Sequence, residues 1–307
     1  MDNPFGLPAA SGDLQLSRRG LLRAGVLAGG GALSLGLLGC SGTESRVVTQ
    51  GRDAPEHALL AAFPQSVPHV AVGVPTRLPY LVSDREGVPL SAMAGPVTFT
   101  VSQDGRPVGA DVVVQPHSDG VPRAYLPLGF TFSELGLYDI AATYGGERLD
   151  SQLQVYSLDD VTPPVVGEPL PPLDTPTPDD SLGVDPMCSR VPTCPFHKVN
   201  LRQAVGSGKR IVLLVASPAY CQTTICGPVL DNLVDLAANR DDLVVIHCEV
   251  YKNPKAVRDL STANLAPVPD SYDLAFEPVM FVTDTAGAIT ARADVIVDRQ
   301  EMAQLIA

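Results

Sequence analysis

Six cysteines carry most of the chemistry open to this 307-residue chain: Cys40, Cys188, Cys194, Cys221, Cys226 and Cys248. Cys221 follows the apolar run Ile211-Val212-Leu213-Leu214-Val215 and precedes a helical pattern made by Val229, Leu230, Leu233, Val234, Leu236 and Ala237. A thiol at such a junction sits near the unsatisfied N–H groups of the helix, which favour thiolate and hence nucleophilic attack. Cys226 is the candidate resolving thiol, about one turn further in. Two helix positions five apart point ~140° away from each other, and their Cα atoms usually exceed the ~7 Å limit for an unstrained disulfide. A bond between them requires Cys221 to stand outside the helix, or the first turn to unwind.

Cys188-x5-Cys194-Pro195-Phe196-His197 admits two readings, a metal-ligand cluster or a local disulfide. In an exported chain the disulfide between Cys188 and Cys194, closing the entry to a domain, is the expectation, with no metal and no other cofactor. Cys248 ends an apolar strand pattern and reads as a small buried apolar residue; as the odd cysteine it leaves the pairing open. Gly206-Ser207-Gly208-Lys209 lacks the first glycine of a phosphate loop, Gln203 standing there, and it precedes a strand. The five histidines show no Ser/His/Asp spacing, so no hydrolase is expected.

The compartment is written in the first 40 residues. Arg18-Arg19 and Arg23 open an uncharged stretch of Leu, Ala, Val and Gly that ends in Leu37-Leu38-Gly39-Cys40. A basic segment before an apolar one is an export-signal pattern, and it resembles the twin-arginine type closed by a bacterial lipobox. By that resemblance residues 1–39 are a signal peptide and Cys40 is lipidated. The chain is then held by its lipid at the extracytoplasmic face of the cell membrane. The formal charge of −13 excludes a phosphate-backbone partner, so no nucleic acid is expected.

The elements that must position these groups follow in order. Residues 40–65 read as a tether. Over 66–158 the apolar residues alternate: Val70, Val72 and Val74; Leu78, Tyr80 and Val82; Val97, Phe99 and Val101; Leu126, Leu128, Phe130 and Phe132; Tyr138, Ile140 and Ala142. Asp104-Gly105 marks a tight hairpin, and six or seven short strands predict an all-β sandwich. Glu134-Leu135-Gly136-Leu137-Tyr138 resembles the tyrosine corner of immunoglobulin-like domains. Residues 159–187 are rich in proline and acid, with no Lys or Arg, and read as an extended linker reaching ~80 Å. Residues 188–307 give strand, helix, strand, then a hairpin around Asp284-Thr285-Ala286-Gly287 and a helix capped by Asp298. That is an α/β order with a mixed sheet.

Tyr220-Cys221 after an apolar strand, Pro228-Val229-Leu230-Asp231-Asn232-Leu233 in the next helix, and Glu277-Pro278 before an apolar strand together resemble the thioredoxin-like family. The resemblance covers about 110 residues. It implies a nucleophile at Cys221, a resolving thiol at Cys226, a cis Pro278 lying against the reactive sulfur, and a substrate-docking groove shaped by Tyr220 and Pro278. It departs from the family in having four residues between the cysteines, and Val215 where many thioredoxins carry a buried, proton-relaying Asp. The expected activity is thiol–disulfide exchange on exported thiol-containing proteins. Two alternatives remain: a redox-silent binding module on the same fold, or a copper-handling assembly protein using Cys221, Cys226 and the imidazole of His247.

Overall fold

The computed structural model describes residues 55–221, 223–257 and 263–307; the expected export signal and Cys40 lie outside them. Arg52–Ala256 with Asn264–Ala307 forms one compact unit, and the other, Met1–Gly51 with Val257–Ala263, falls almost wholly outside the described residues. The protein is mostly β, with few helices. Among the described residues no helix is long and apolar enough to cross a membrane.

Strands β1 (Ala58–Ala61), β3 (Pro75–Ser83) and β7 (Leu126–Thr131) form a three-stranded sheet with β3 in the middle. A second sheet runs β2 (Val70–Ala71), β9 (Glu147–Tyr156), β8 (Gly136–Tyr144), β4 (Val97–Gln103), β5 (Arg106–Pro107), with β6 (Val112–Val114) also paired to β4. Period-two alternation sends Leu78, Tyr80, Leu126 and Leu128 from the first sheet, and Phe99, Val101, Tyr138 and Ile140 from the second, into one buried core. Two sheets, antiparallel except where β2 runs parallel to β9, enclose one apolar layer, the arrangement of a β-sandwich. The Asp104-Gly105 hairpin forms with both residues left-handed, at φ 50° and 73°, as a tight turn of matching twist requires. Tyr138 closes the corner ahead of β8: its hydroxyl donates to the Glu134 carbonyl at 3.0 Å and accepts from the Glu134 N–H at 3.2 Å. One boundary shifts. β1 lies inside the expected tether and pairs with β3, burying Leu59. A four-residue strand that buries one side chain is too short to show a period.

In the second half, α1 (Leu201–Ala204) leads into β10 (Arg210–Val215), followed by α2 (Cys226–Ala237), β11 (Leu243–Cys248) and α3 (Pro267–Ser271). β12 (Val279–Thr283), β13 (Ile289–Asp294) and α4 (Arg299–Leu305) complete it. The sheet order is β11-β10-β12-β13, with β10 and β11 parallel and the other pairs antiparallel. Ile211 to Val215 are all buried, as a central strand covered on both faces demands. Asp298 caps α4 by accepting from the Glu301 N–H at 2.7 Å.

The largest correction concerns residues 159–187, which are no extended spacer. Val161, Val165, Leu170, Thr175 and Val184 are buried, and the segment bonds to its surroundings by backbone: Gly167 to Ile289, Ile289 to Glu168, and Leu170 to Gly287. Proline removes a donor but no acceptor, so a proline-rich strap can be held through the N–H groups and carbonyls that remain. The two halves also meet directly. Arg77 of β3 grips the Glu301 carboxylate at 2.6 and 2.7 Å and the Ile296 carbonyl at 2.5 Å. Tyr125 donates to Glu301 at 2.5 Å and accepts from the Asp298 N–H at 2.8 Å. Asn232 of α2 donates to the Gly120 carbonyl at 3.3 Å.

Candidate functional site

Cys221 and Cys226 are joined in a disulfide, with Cα atoms 5.9 Å apart. The geometric condition is met by keeping Cys221 out of the helix. α2 begins at Cys226 itself, which corrects the placement of Cys226 a turn further in. Between them Thr224 takes a left-handed φ of 60°, a conformation a β-branched residue rarely adopts, and this reverses the chain before the helix. The Cys226 N–H points at Cys221 Sγ (3.4 Å) and the Thr223 hydroxyl lies 3.3 Å from the same sulfur. Cys221 is half-buried at the surface, whereas Cys226 is 0% exposed. One sulfur is open to attack and the other is shielded.

One carboxylate touches the shielded sulfur, and a second acts on that carboxylate. Glu277, joined to Pro278 by a cis peptide bond, brings Oε2 to 3.4 Å from Cys226 Sγ and to 2.6 Å from the Ser217 N–H, which donates to it. Burial pushes the Glu277 carboxyl up to about 7, with the neighbouring Glu249 raising it further and the Ser217 N–H opposing. Glu249 is raised too, mainly by burial, and accepts from the Ser189 N–H at 2.6 Å. Glu249 Oε2 and Glu277 Oε1 have no hydrogen-bond partner. Val215 leaves the β10 position apolar, and the acid comes instead from the residue preceding Pro278. Sequence reading used Glu277 only as half of a dipeptide; its position before a proline that opens a buried strand was the available signal. Tyr220 is half-buried beside Cys221, and Pro278 is buried immediately ahead of β12.

The expected Cys188–Cys194 bond is absent. Both thiols are free and buried, and they gather with His197, as the metal-ligand reading of this segment grouped them, and with His247, which that reading did not include. Cys194 Sγ lies 3.1 Å from His197 Nε2 and 3.5 Å from His247 Nδ1; Cys188 Sγ is 3.8 Å from His247 Nδ1; the two ring nitrogens are 3.4 Å apart. All four residues are buried, with ligand atoms within 4.8 Å of one another. His247 Nε2 is 2.9 Å from the Ala216 carbonyl. Only a protonated nitrogen makes that bond, so in the neutral ring it is Nδ1 that carries the lone pair facing the cluster. The other ring nitrogen of His197, Nδ1, is buried without a partner. The Cys188 thiol is pulled below its ordinary value, first by the hydrogen bond from Cys194 and then, against burial, by His197 and His247; Cys194 is pushed up by the same bond and by burial. His247 therefore sides with Cys188 and Cys194, away from the Cys221–Cys226 pair that the copper reading assigned it to. Cys248 is free and buried, its thiol pushed up to about 12 by burial and then by Glu249.

No family model matches the chain, and no curated protein matches it. Among solved structures, an engineered protein from the Northeast Structural Genomics Consortium is 18% identical, covering 33% of this chain and 20% of its own, at a TM-score of 0.23. The ZirS C-terminal domain is 14% identical over 50% of this chain and 99% of its own, at 0.23. Tandem immunoglobulin domains of titin are 15% identical over 34% and 49%, at 0.21. At these scores the likenesses carry no argument.

Proposed function

We propose that the second half is a thioredoxin-like domain that carries out thiol–disulfide exchange at the Cys221–Cys226 bond. The observation that carries the reading is the asymmetry of that bond, with one sulfur accessible and the other buried against Glu277. The mixed-sheet order, Cys221 ahead of α2 and the cis Pro278 support the family assignment. An incoming thiolate attacks Cys221 Sγ, forming a mixed disulfide and breaking the Cys221–Cys226 bond, and Cys226 leaves as a thiolate. Its proton comes from the Glu277 carboxyl. A second substrate thiol then releases Cys221, so that two thiols become one disulfide while the enzyme pair becomes two thiols. In the reverse direction Glu277 accepts the Cys226 proton, and the thiolate formed attacks Cys221 to release substrate.

The immunoglobulin-like sandwich, the lipid anchor at Cys40, the extracytoplasmic location and the exported thiol-containing substrates belong to the same proposal. Titration of the folded protein with a mild dithiol tests it. Reversible opening at a potential within reach of the dithiol is expected. A bond that resists until the protein unfolds makes it a redox-silent module instead.

A further inference from the structure

Four buried side chains outside the disulfide site converge on one point: Cys188, Cys194, His197 and His247. Around a tetrahedral zinc ion, with bonds of ~2.3 Å to sulfur and ~2.0–2.1 Å to nitrogen, ligand atoms lie roughly 3.3–3.8 Å apart. Four of the six separations here are 3.1, 3.4, 3.5 and 3.8 Å, and all six lie within 4.8 Å. We propose that these residues form a closed zinc site that ties the 188–197 segment to the end of β11.

The surroundings are those of a ligand set. The Cys194 N–H points at Cys188 Sγ (3.5 Å), the contact a thiolate ligand favours, and the Ala216 carbonyl fixes the His247 ring with Nδ1 inward. Two thiolates and one divalent cation sum to zero charge, so the filled site adds no net charge to the interior. Two sulfurs and two imidazoles in a tetrahedron select zinc among divalent ions, and four protein ligands leave no open position for substrate. The ion binds thiolates, so uptake displaces the protons that the sulfurs still carry. The segment so tied also touches the redox loop: the Ser189 hydroxyl accepts from the Ala219 N–H at 3.1 Å, and Arg190 pairs with Asp231 of α2 at 2.6 Å.

The test uses the full chain, reduced and folded, loaded with zinc and separately with cobalt(II). The expected result is about one metal per chain, proton release on binding, and the intense visible bands of tetrahedral cobalt with sulfur-to-metal charge transfer. Cys194→Ser and His197→Gln should each weaken metal binding at least tenfold, while a Cys221→Ser/Cys226→Ser chain should bind as before. Including both a cysteine and a histidine variant keeps the test usable if one fails to fold. The proposal is overturned if the reduced, folded wild type takes up no zinc, if it binds copper(I) to the exclusion of zinc, or if the Cys194 and His197 variants bind as well as wild type. Recovery of a Cys188–Cys194 cross-link from protein isolated without oxidant also overturns it.

Discussion

Glu277 Oε2 lies 3.4 Å from Cys226 Sγ, the buried half of the disulfide. In the bonded state the sulfur has no proton to donate. Once the bond opens, the same geometry lets a Cys226 thiol donate to the carboxylate. With its carboxyl raised to about 7 by burial, Glu277 can both give and take a proton near neutral pH. Replacing Glu277 with Gln keeps the shape and removes the proton. Exchange with a small thiol substrate should slow by roughly 10- to 100-fold, and the rate–pH profile should lose an inflection near 7. An unchanged profile in Glu277→Gln means that another group moves the proton.

The same carboxyl has a consequence for stability, with the sign set by its raised value. Between the ordinary carboxylate value of 4.5 and about 7, the folded state holds a proton that the unfolded state has released. The stability that this preference contributes is full below 4.5 and is lost as pH rises through about 7. Denaturant melts of wild type at pH 5 and pH 8 should therefore differ more than those of Glu277→Gln. An equal pH response in the two proteins counts against a buried, proton-holding Glu277.

Ile211–Val215 and the alternating runs of the sandwich are legible in the sequence because each pattern is local and one face, or both, must be buried. The Cys221–Cys226 geometry is half legible: helical spacing forbids the bond, but which residue starts the helix depends on Thr224 turning left-handed. Cys188, Cys194 and His197 are close enough in sequence to be read together, but the fourth member, His247, lies 59 residues from Cys188 and arrives only through its place on β11 beside β10. Composition misleads over 159–187, where a few valines and Leu170 outweigh the many prolines and acids once the groove between β13 and the sandwich exists to receive them.

Arg77 and Glu301 form an ion pair between the two halves, with side chains 12% and 10% exposed. Removing one partner of such a pair leaves the other charge buried, at a cost of about 3–5 kcal/mol. Arg77→Ala should lower the melting temperature markedly and split the unfolding of the sandwich from that of the second half. Replacing Arg77 with Met and Glu301 with Gln together should recover much of the loss, because no unpaired charge remains. Calorimetry of the three proteins decides this. A wild-type-like Arg77→Ala melt means that the strap, the Asn232–Gly120 contact and the Tyr125 bonds to Glu301 and Asp298 hold the halves together without the ion pair.

The two cysteines of the disulfide should differ sharply in reactivity once reduced. Cys221 is half-exposed, outside the helix, with the Cys226 N–H and the Thr223 hydroxyl aimed at its sulfur, and both donors stabilise a thiolate. Cys226 is fully buried beside a carboxyl that, when ionised, disfavours a second negative charge. Alkylation of the reduced protein near neutral pH should label Cys221 at least tenfold faster than Cys226. Cys226→Ser should then accumulate mixed disulfides through Cys221, because the resolving thiol is gone and the accessible one remains. Cys221→Ser should accumulate none, since a buried Cys226 meets no substrate. Mass spectrometry of the adducts, read under non-reducing conditions, separates the two variants. Adducts on Cys226 in the Cys221→Ser chain, or equal labelling of both thiols, would reverse the assignment of attacking and resolving sulfur.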